Sequence, residues 1–208
     1  MITGRNLAMS TVFKASVFIC GGLDVRNRTL GSCEVYREGA WRRFSNLILR
    51  RHSATMVASS ERLYVLGGRQ FKGVLKSVES YDFSNRQWIT MPPMRKARYG
   101  LSAVAVNSAI YACGGYATTG EAVNDCEKFD VARNVWSFVS GMKNARAFFP
   151  FLQFDARLYA FGSAFGDCVD QRAVEVYDIK LDEWRVMEKN LFKPRGNACA
   201  VTVPLSRK

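Results

Sequence analysis

Arg62-Leu63-Tyr64-Val65-Leu66-Gly67-Gly68, followed by Ser77-Val78-Glu79-Ser80-Tyr81-Asp82 and Gln87-Trp88-Ile89-Thr90, is the stretch that decides the fold, because it recurs. Apolar runs ending at a glycine pair, or a near-pair, stand at Gly21-Gly22, Gly67-Gly68, Gly114-Gly115 and Gly162-Ser163, in steps of 46, 47 and 48 residues. A tryptophan follows each, at Trp41, Trp88, Trp136 and Trp184. A fixed period near 47 means one supersecondary unit built four times.

Other residues keep the same register. Sixteen positions before each first glycine stand Arg5, Arg51, Arg98 and Arg146. Twelve or thirteen positions after it stand Glu34, Glu79, Glu127 and Glu175, each followed two residues later by Tyr36, Tyr81, Phe129 or Tyr177. Within a unit, short segments rich in Val, Ile, Tyr and Trp alternate with Gly, Asn, Asp and Ser, which reads as four short strands; no sustained 3.6-residue period predicts a helix. Four antiparallel strands per unit of 40 to 50 residues point to propeller blades around a central channel. The units run over 5–50, 51–97, 98–145 and 146–194, with a partial fifth at 195–203 and a tail at 204–208.

The motif set resembles the kelch repeat: an arginine, an apolar strand ending in Gly-Gly, then Glu-x-Tyr-Asp, then Trp. Met91-Pro92-Pro93-Met94 before Arg98 is similar to the inter-blade link of kelch-like proteins that carry an upstream BTB domain. Ser163 departs from the pattern. So does the first unit, where Tyr36-Arg37-Glu38-Gly39-Ala40 replaces the Tyr-Asp turn with a shorter one. The resemblance implies an all-β kelch propeller of four blades. A strand after Arg195 is surplus, so the blades read as an arc of a larger, six-bladed ring and the chain as part of a longer product.

Composition narrows function. The formal net charge of +12, from 30 Lys+Arg against 18 Asp+Glu, favours acidic partners, yet no basic run of five residues suggests a nucleic-acid tail. No stretch of 18 apolar residues suggests a membrane span. The single histidine, His52, cannot build a multi-histidine metal site, which excludes a galactose-oxidase-like copper centre. A sialic-acid-type site would need an arginine cluster beyond the repeat arginines. No cofactor or metal is expected, and an enzyme is disfavoured.

Six cysteines occur. Cys20 and Cys113 share one repeat slot, Cys33 and Cys126 another, and residues in equivalent slots of different units lie too far apart to bridge. The expectation is buried thiols in a reducing cytoplasm.

The resemblance implies two loop sets at the channel mouth: residues after each glycine pair (Leu23, Arg69, Tyr116, Ala164) and after each register arginine (Asn6, His52, Tyr99, Ala147, Gly196). Of these, Arg69, Tyr116, His52 and Tyr99 have side chains suited to gripping an acidic peptide. Loop charges divide into a basic sector (Arg26, Arg28, Arg69, Lys72, Lys76) and an acidic one (Glu121, Asp125, Asp167, Asp170). The family resemblance implies a protein-interaction module, as the substrate-recognition part of a cullin-RING ubiquitin ligase adaptor, with an actin-associated scaffold as the alternative.

Overall fold

The computed structural model describes residues 1–59, 61–162, 172–193 and 200. Each period forms one four-stranded antiparallel meander. Blade I comprises β1 (Met9–Phe13), β2 (Ser16–Cys20), β3 (Cys33–Arg37) and β4 (Ala40–Phe44). Blade II comprises β5 (Thr55–Ser59), β6 (Arg62–Leu66), a two-residue ribbon β7 (Arg69–Gln70) and β8 (Gly73–Val74), then β9 (Val78–Asp82) and β10 (Gln87–Met91). Blade III comprises β11 (Ser102–Val106), β12 (Ala109–Cys113), β13 (Cys126–Asp130) and β14 (Val135–Val139). Blade IV comprises β15 (Phe151–Phe154), β16 (Arg157–Phe161), β17 (Val174–Asp178) and β18 (Glu183–Val186). The described residues contain no helix. The surplus strand expected after Arg195 and the Ser163 departure lie outside the described residues.

First strands β1, β5, β11 and β15 neighbour one another in turn, which puts them on the axis and makes the four sheets an open arc. The second strands of blades II and III, β6 and β12, are almost continuously buried because both of their faces are covered, whereas β2 and β16 in the end blades alternate. On β6, Leu63 and Val65 join the core shared with blade I, while Tyr64 and Leu66 join the core shared with blade III. A third such core, containing Leu158, Tyr177 and Trp184, fills the space between blades III and IV. Outer strands keep one wet face: on β14, Trp136 is buried while Ser137 and Phe138 are exposed.

Turn chemistry follows from the Tyr-Asp motif. Asp82, Asp130 and Asp178 accept hydrogen bonds from backbone N–H groups of Ser84, Arg133 and Lys180, closing the third-to-fourth-strand turn by the side chain. Blade I lacks that aspartate and uses a two-residue turn instead, with Glu38 and Gly39 both at positive φ (53° and 78°).

The repeat tryptophans span blades. Trp88, Trp136 and Trp184 donate Nε1–H to the carbonyls of Ser45, Pro92 and Ser140 in the preceding blade, each at 2.9 Å. Trp41 instead packs on Tyr36 (centroids 5.3 Å apart) and stays half-buried, because no described blade precedes it.

The cysteine expectation is overturned. Cys20 is bonded to Cys33 and Cys113 to Cys126. The bridges lie within blades: the last residue of the second strand directly faces the first residue of the third, as Cys20↔Cys33 and Cys113↔Cys126. Comparing only equivalent slots of different units concealed this cross-strand pairing.

Candidate functional site

A buried ion pair builds the mouth of the arc in every blade. Arg5, Arg51, Arg98 and Arg146 reach from the inter-blade segment to Glu34, Glu79, Glu127 and Glu175 at 2.7, 2.5, 3.0 and 2.8 Å, with side-chain exposure of 2% or less throughout. The arginines also donate to the carbonyls of Gly21, Gly67, Gly114 and Gly162, so the glycine-pair loop hangs on the guanidinium. Each glutamate in turn accepts two backbone N–H groups from the preceding linker, such as Ile48 and Leu49 for Glu79, or Arg95 and Lys96 for Glu127. Burial alone would raise the Glu34 carboxyl, but the Arg5 guanidinium and the Ile2 and Thr3 N–H groups outweigh it and hold its pKa down at about 2. The guanidinium Nη groups and the carboxylates are engaged within the fold, while the Nε of Arg5, Arg98 and Arg146 is buried without a partner among the described residues, so these residues position the loops that follow them.

Those residues form a second ladder. The strand-like pairs Asn6↔Leu23, His52↔Arg69 and Tyr99↔Tyr116 join each post-arginine segment to the post-glycine loop of its own blade. The next residues chain the blades together, as Ser53 N–H donates to Leu7, Gly100 N–H to Ser53, and Phe148 N–H to Gly100. Gly100 has φ +64°, and a Cβ there would stand 2.7 Å from the Phe148 ring. Only glycine lets that ring lie over the backbone.

The structure thus brings together the four residues expected at the mouth. The Arg69 guanidinium lies 5.5 Å from the centroid of the Tyr99 ring, within cation–π range. Tyr99 stacks on Tyr116 at 5.3 Å, and Phe148, which sequence reasoning missed, meets both rings at 6.4 and 6.2 Å. His52 is half-buried with Nδ1 3.1 Å from Ser53 Oγ; burial, then the Arg69 charge, depresses its pKa and keeps the ring neutral. Arg69 is exposed and has no ion pair among the described residues. Phe71, also unforeseen, projects from the tip of the β7–β8 ribbon with complete exposure.

Leu23 and Asn6 occupy the equivalent place in blade I without a charged or aromatic group, and Ala147 is buried. Ala164, Gly196, Asp167 and Asp170 lie outside the described residues. Of the basic sector, Arg28 is engaged by Asp24 at 2.7 Å, while Arg69, Lys72 and Lys76 are exposed on the loop that follows Gly68. An exposed guanidinium beside stacked rings can hold a carboxylate through its fork while the rings pack the attached chain.

Comparison with known proteins agrees with this architecture. The family model described as KLHDC2/KLHL20/DRC7 Kelch-repeats domain matches residues 10–207. Kelch-like protein 38 of Rattus norvegicus is 30% identical over 201 residues, covering 92% of this chain and 34% of its own length. Alpha-scruin of Limulus polyphemus is 28% identical over 218 residues, covering 96% of this chain and 24% of its own. The chain therefore spans about a third or less of the curated relatives it matches. The solved structure of YjhT superposes with a TM-score of 0.78 at 14% identity, covering 94% of this chain and 68% of that one, a likeness of fold alone.

Proposed function

The chain belongs to the kelch-repeat family, a protein-interaction β-propeller, and from that premise we propose that it recognises an acidic peptide at the mouth of the arc. The observation that carries this is Arg69: an exposed guanidinium without a carboxylate partner among the described residues, stacked on Tyr99 beside Tyr116 and Phe148. A ligand carboxylate supplies the missing counter-charge. Phe71 and the aromatic cluster supply apolar contact for neighbouring side chains.

In this reading the domain is the substrate-recognition part of a cullin-RING ubiquitin ligase adaptor, and it performs no catalysis. The similarity to kelch-like proteins supports that assignment. The cytoplasmic placement now rests on the adaptor reading, because four of the cysteines that suggested it are bridged. The arc stands for four blades of a six-bladed ring.

An actin-associated scaffold is the second reading, favoured by one outer-strand feature. Phe138 on β14 is half-exposed, and the charges of Arg95 and Lys96 lie 5.8 and 5.7 Å from its ring centroid, on the side of a blade.

The deciding test measures binding of an acidic peptide pool, then of its best member, to the native domain, Arg69→Glu and Arg133→Glu. Arg133 is exposed on the turn between β13 and β14, at the end of the blade away from the mouth. Arg69→Glu is expected to weaken binding by at least tenfold while Arg133→Glu changes it little. Equal losses would remove the mouth site and shift attention to β14.

A further inference from the structure

Four of the six cysteines fall in matched pairs. Blades I and III hold cysteine in both facing slots, Cys20 with Cys33 and Cys113 with Cys126. Blades II and IV hold it in neither, placing Leu66 opposite Val78 and Phe161 opposite Val174. Cysteine serving only as a small apolar filler would have no reason to occur two by two. The pairing points to sulfur–sulfur chemistry, and each bridge staples the base of a mouth loop, 21–32 or 114–125.

The two bridges differ in surroundings. Both are almost fully buried between blades, but Cys33 also forms part of the wall of a cavity of about 480 Å³ with Thr3, Glu34, Arg43 and Asn46. A second cavity, of about 520 Å³, shares Ser32 and Asn46 with the first and adds Arg28 and Arg50. Arg43 and Arg50 are exposed and make no ion pair among the described residues. The acidic groups in the two walls are already held, Glu34 by Arg5 and two backbone N–H groups and Asp24 by Arg28. The double cavity is therefore polar, net basic and adjacent to a disulfide.

We propose that this cavity admits a small anionic thiol of the glutathione class and that Cys20–Cys33 is a site of reversible thiol–disulfide exchange. The thiolate attacks Cys33 Sγ, the S–S bond breaks, and Cys20 leaves as a thiolate that takes up a proton. A second thiol attacks the mixed disulfide, releasing the small oxidised disulfide and leaving Cys33 as a thiol. Two small thiols are oxidised and one protein disulfide is reduced, so no further electron donor enters. Reduction removes one tie at the base of loop 21–32, which carries Leu23 and its pairing with Asn6 at the mouth, and leaves the loop held by Arg5 through the carbonyls of Gly21 and Ser32. Oxidised small disulfide drives the reverse reaction, so the staple follows the thiol balance of its compartment.

The test follows bridge opening by alkylation and peptide mapping of the whole chain, with reduced glutathione and cationic cysteamine compared at equal thiolate concentration. The expected result is that glutathione opens Cys20–Cys33 several-fold faster than cysteamine at low salt, with the preference falling to about one in Arg43→Gln/Arg50→Gln. Cys113–Cys126 serves as the internal reference and shows no such preference. Cys20→Leu/Cys33→Val borrows the packing pair of blade II, retains the fold, and forms no glutathione adduct in the blade I peptides. The proposal is overturned if the glutathione preference survives both glutamines. It is equally overturned if the two bridges open together at one rate with either probe, since that rate would report unfolding of the whole arc.

Discussion

Arg98 Nη2 donates to Glu127 Oε1 at 3.0 Å inside the mouth of blade III, and neither side chain is more than 1% exposed. The pair is a junction of three segments. Arg98 also holds the carbonyls of Gly114 and Asp125, and Glu127 also accepts the N–H groups of Arg95 and Lys96. Charge is stabilised here because nearly every oxygen and nitrogen it exposes to the interior meets a partner.

Removing either half leaves a buried charge and several backbone groups unpaired. Arg98→Ala is expected to cost about 3–5 kcal/mol, read as a lowered urea midpoint. The double variant Arg98→Met/Glu127→Leu should recover little of that loss. An apolar pair cannot accept the Arg95 and Lys96 N–H groups or donate to Gly114. Full recovery would show that the ion pair alone, rather than its backbone bonds, holds the blade.

Trp136 and Trp41 fill the same repeat slot in different surroundings. Trp136 is 3% exposed and donates to Pro92, whereas Trp41 has no preceding described blade to reach. Trp136→Phe should cost about 1–3 kcal/mol through the orphaned carbonyl. Trp41→Phe should stay within about 0.5 kcal/mol. Equal costs by thermal unfolding would mean that ring volume, and not the inter-blade bond, matters.

The architecture was legible because a propeller repeats its constraints. The glycine, arginine and glutamate slots do the same job in every blade, and the tryptophan slot does so in blades II to IV, so identity at a fixed interval exposes them. The mouth was legible only in part. Phe148 stands in a slot occupied by Leu7, Ser53 and Gly100 elsewhere, where a shared backbone geometry at positive φ imposes no shared side chain. Its packing depends on Gly100 in the neighbouring blade, a relation that no single repeat contains. The bridges were hidden for the opposite reason: the comparison ran between units, while the partner of Cys20 lies 13 residues away in its own unit.

Gly100 tests that cross-blade relation. Alanine there would need φ +64° and would press its methyl against Phe148. Gly100→Ala is expected to cost about 1–3 kcal/mol and to weaken the acidic peptide more than a surface alanine does. Gly100→Ala/Phe148→Ala should regain part of the stability, because the clash is gone, while binding stays weak because the ring is gone too. A double variant that restores binding would exclude Phe148 from the site.

His52 gives the mouth a pH dependence whose sign is fixed by its surroundings. Burial and the Arg69 charge lower its pKa, so folded His52 resists a proton that the unfolded chain accepts near pH 6.5. Its contribution to stability is therefore flat above about pH 6.5 and declines as pH falls through the window between the unfolded and folded values. An acidic ligand reverses the effect at the site. A carboxylate seated on Arg69 offsets the charge that opposes protonation, so the complex takes up the proton more readily than the free domain does. Affinity should then rise as pH falls from 7 to 5.5, by about two- to fivefold and below the roughly tenfold-per-unit limit for one coupled proton. The peptide carboxylates, with pKa near 4, stay ionised over that range. Titration calorimetry at several pH values checks this, with His52→Gln expected to abolish the slope. A slope that persists in His52→Gln would place the coupled proton elsewhere and separate His52 from the ligand.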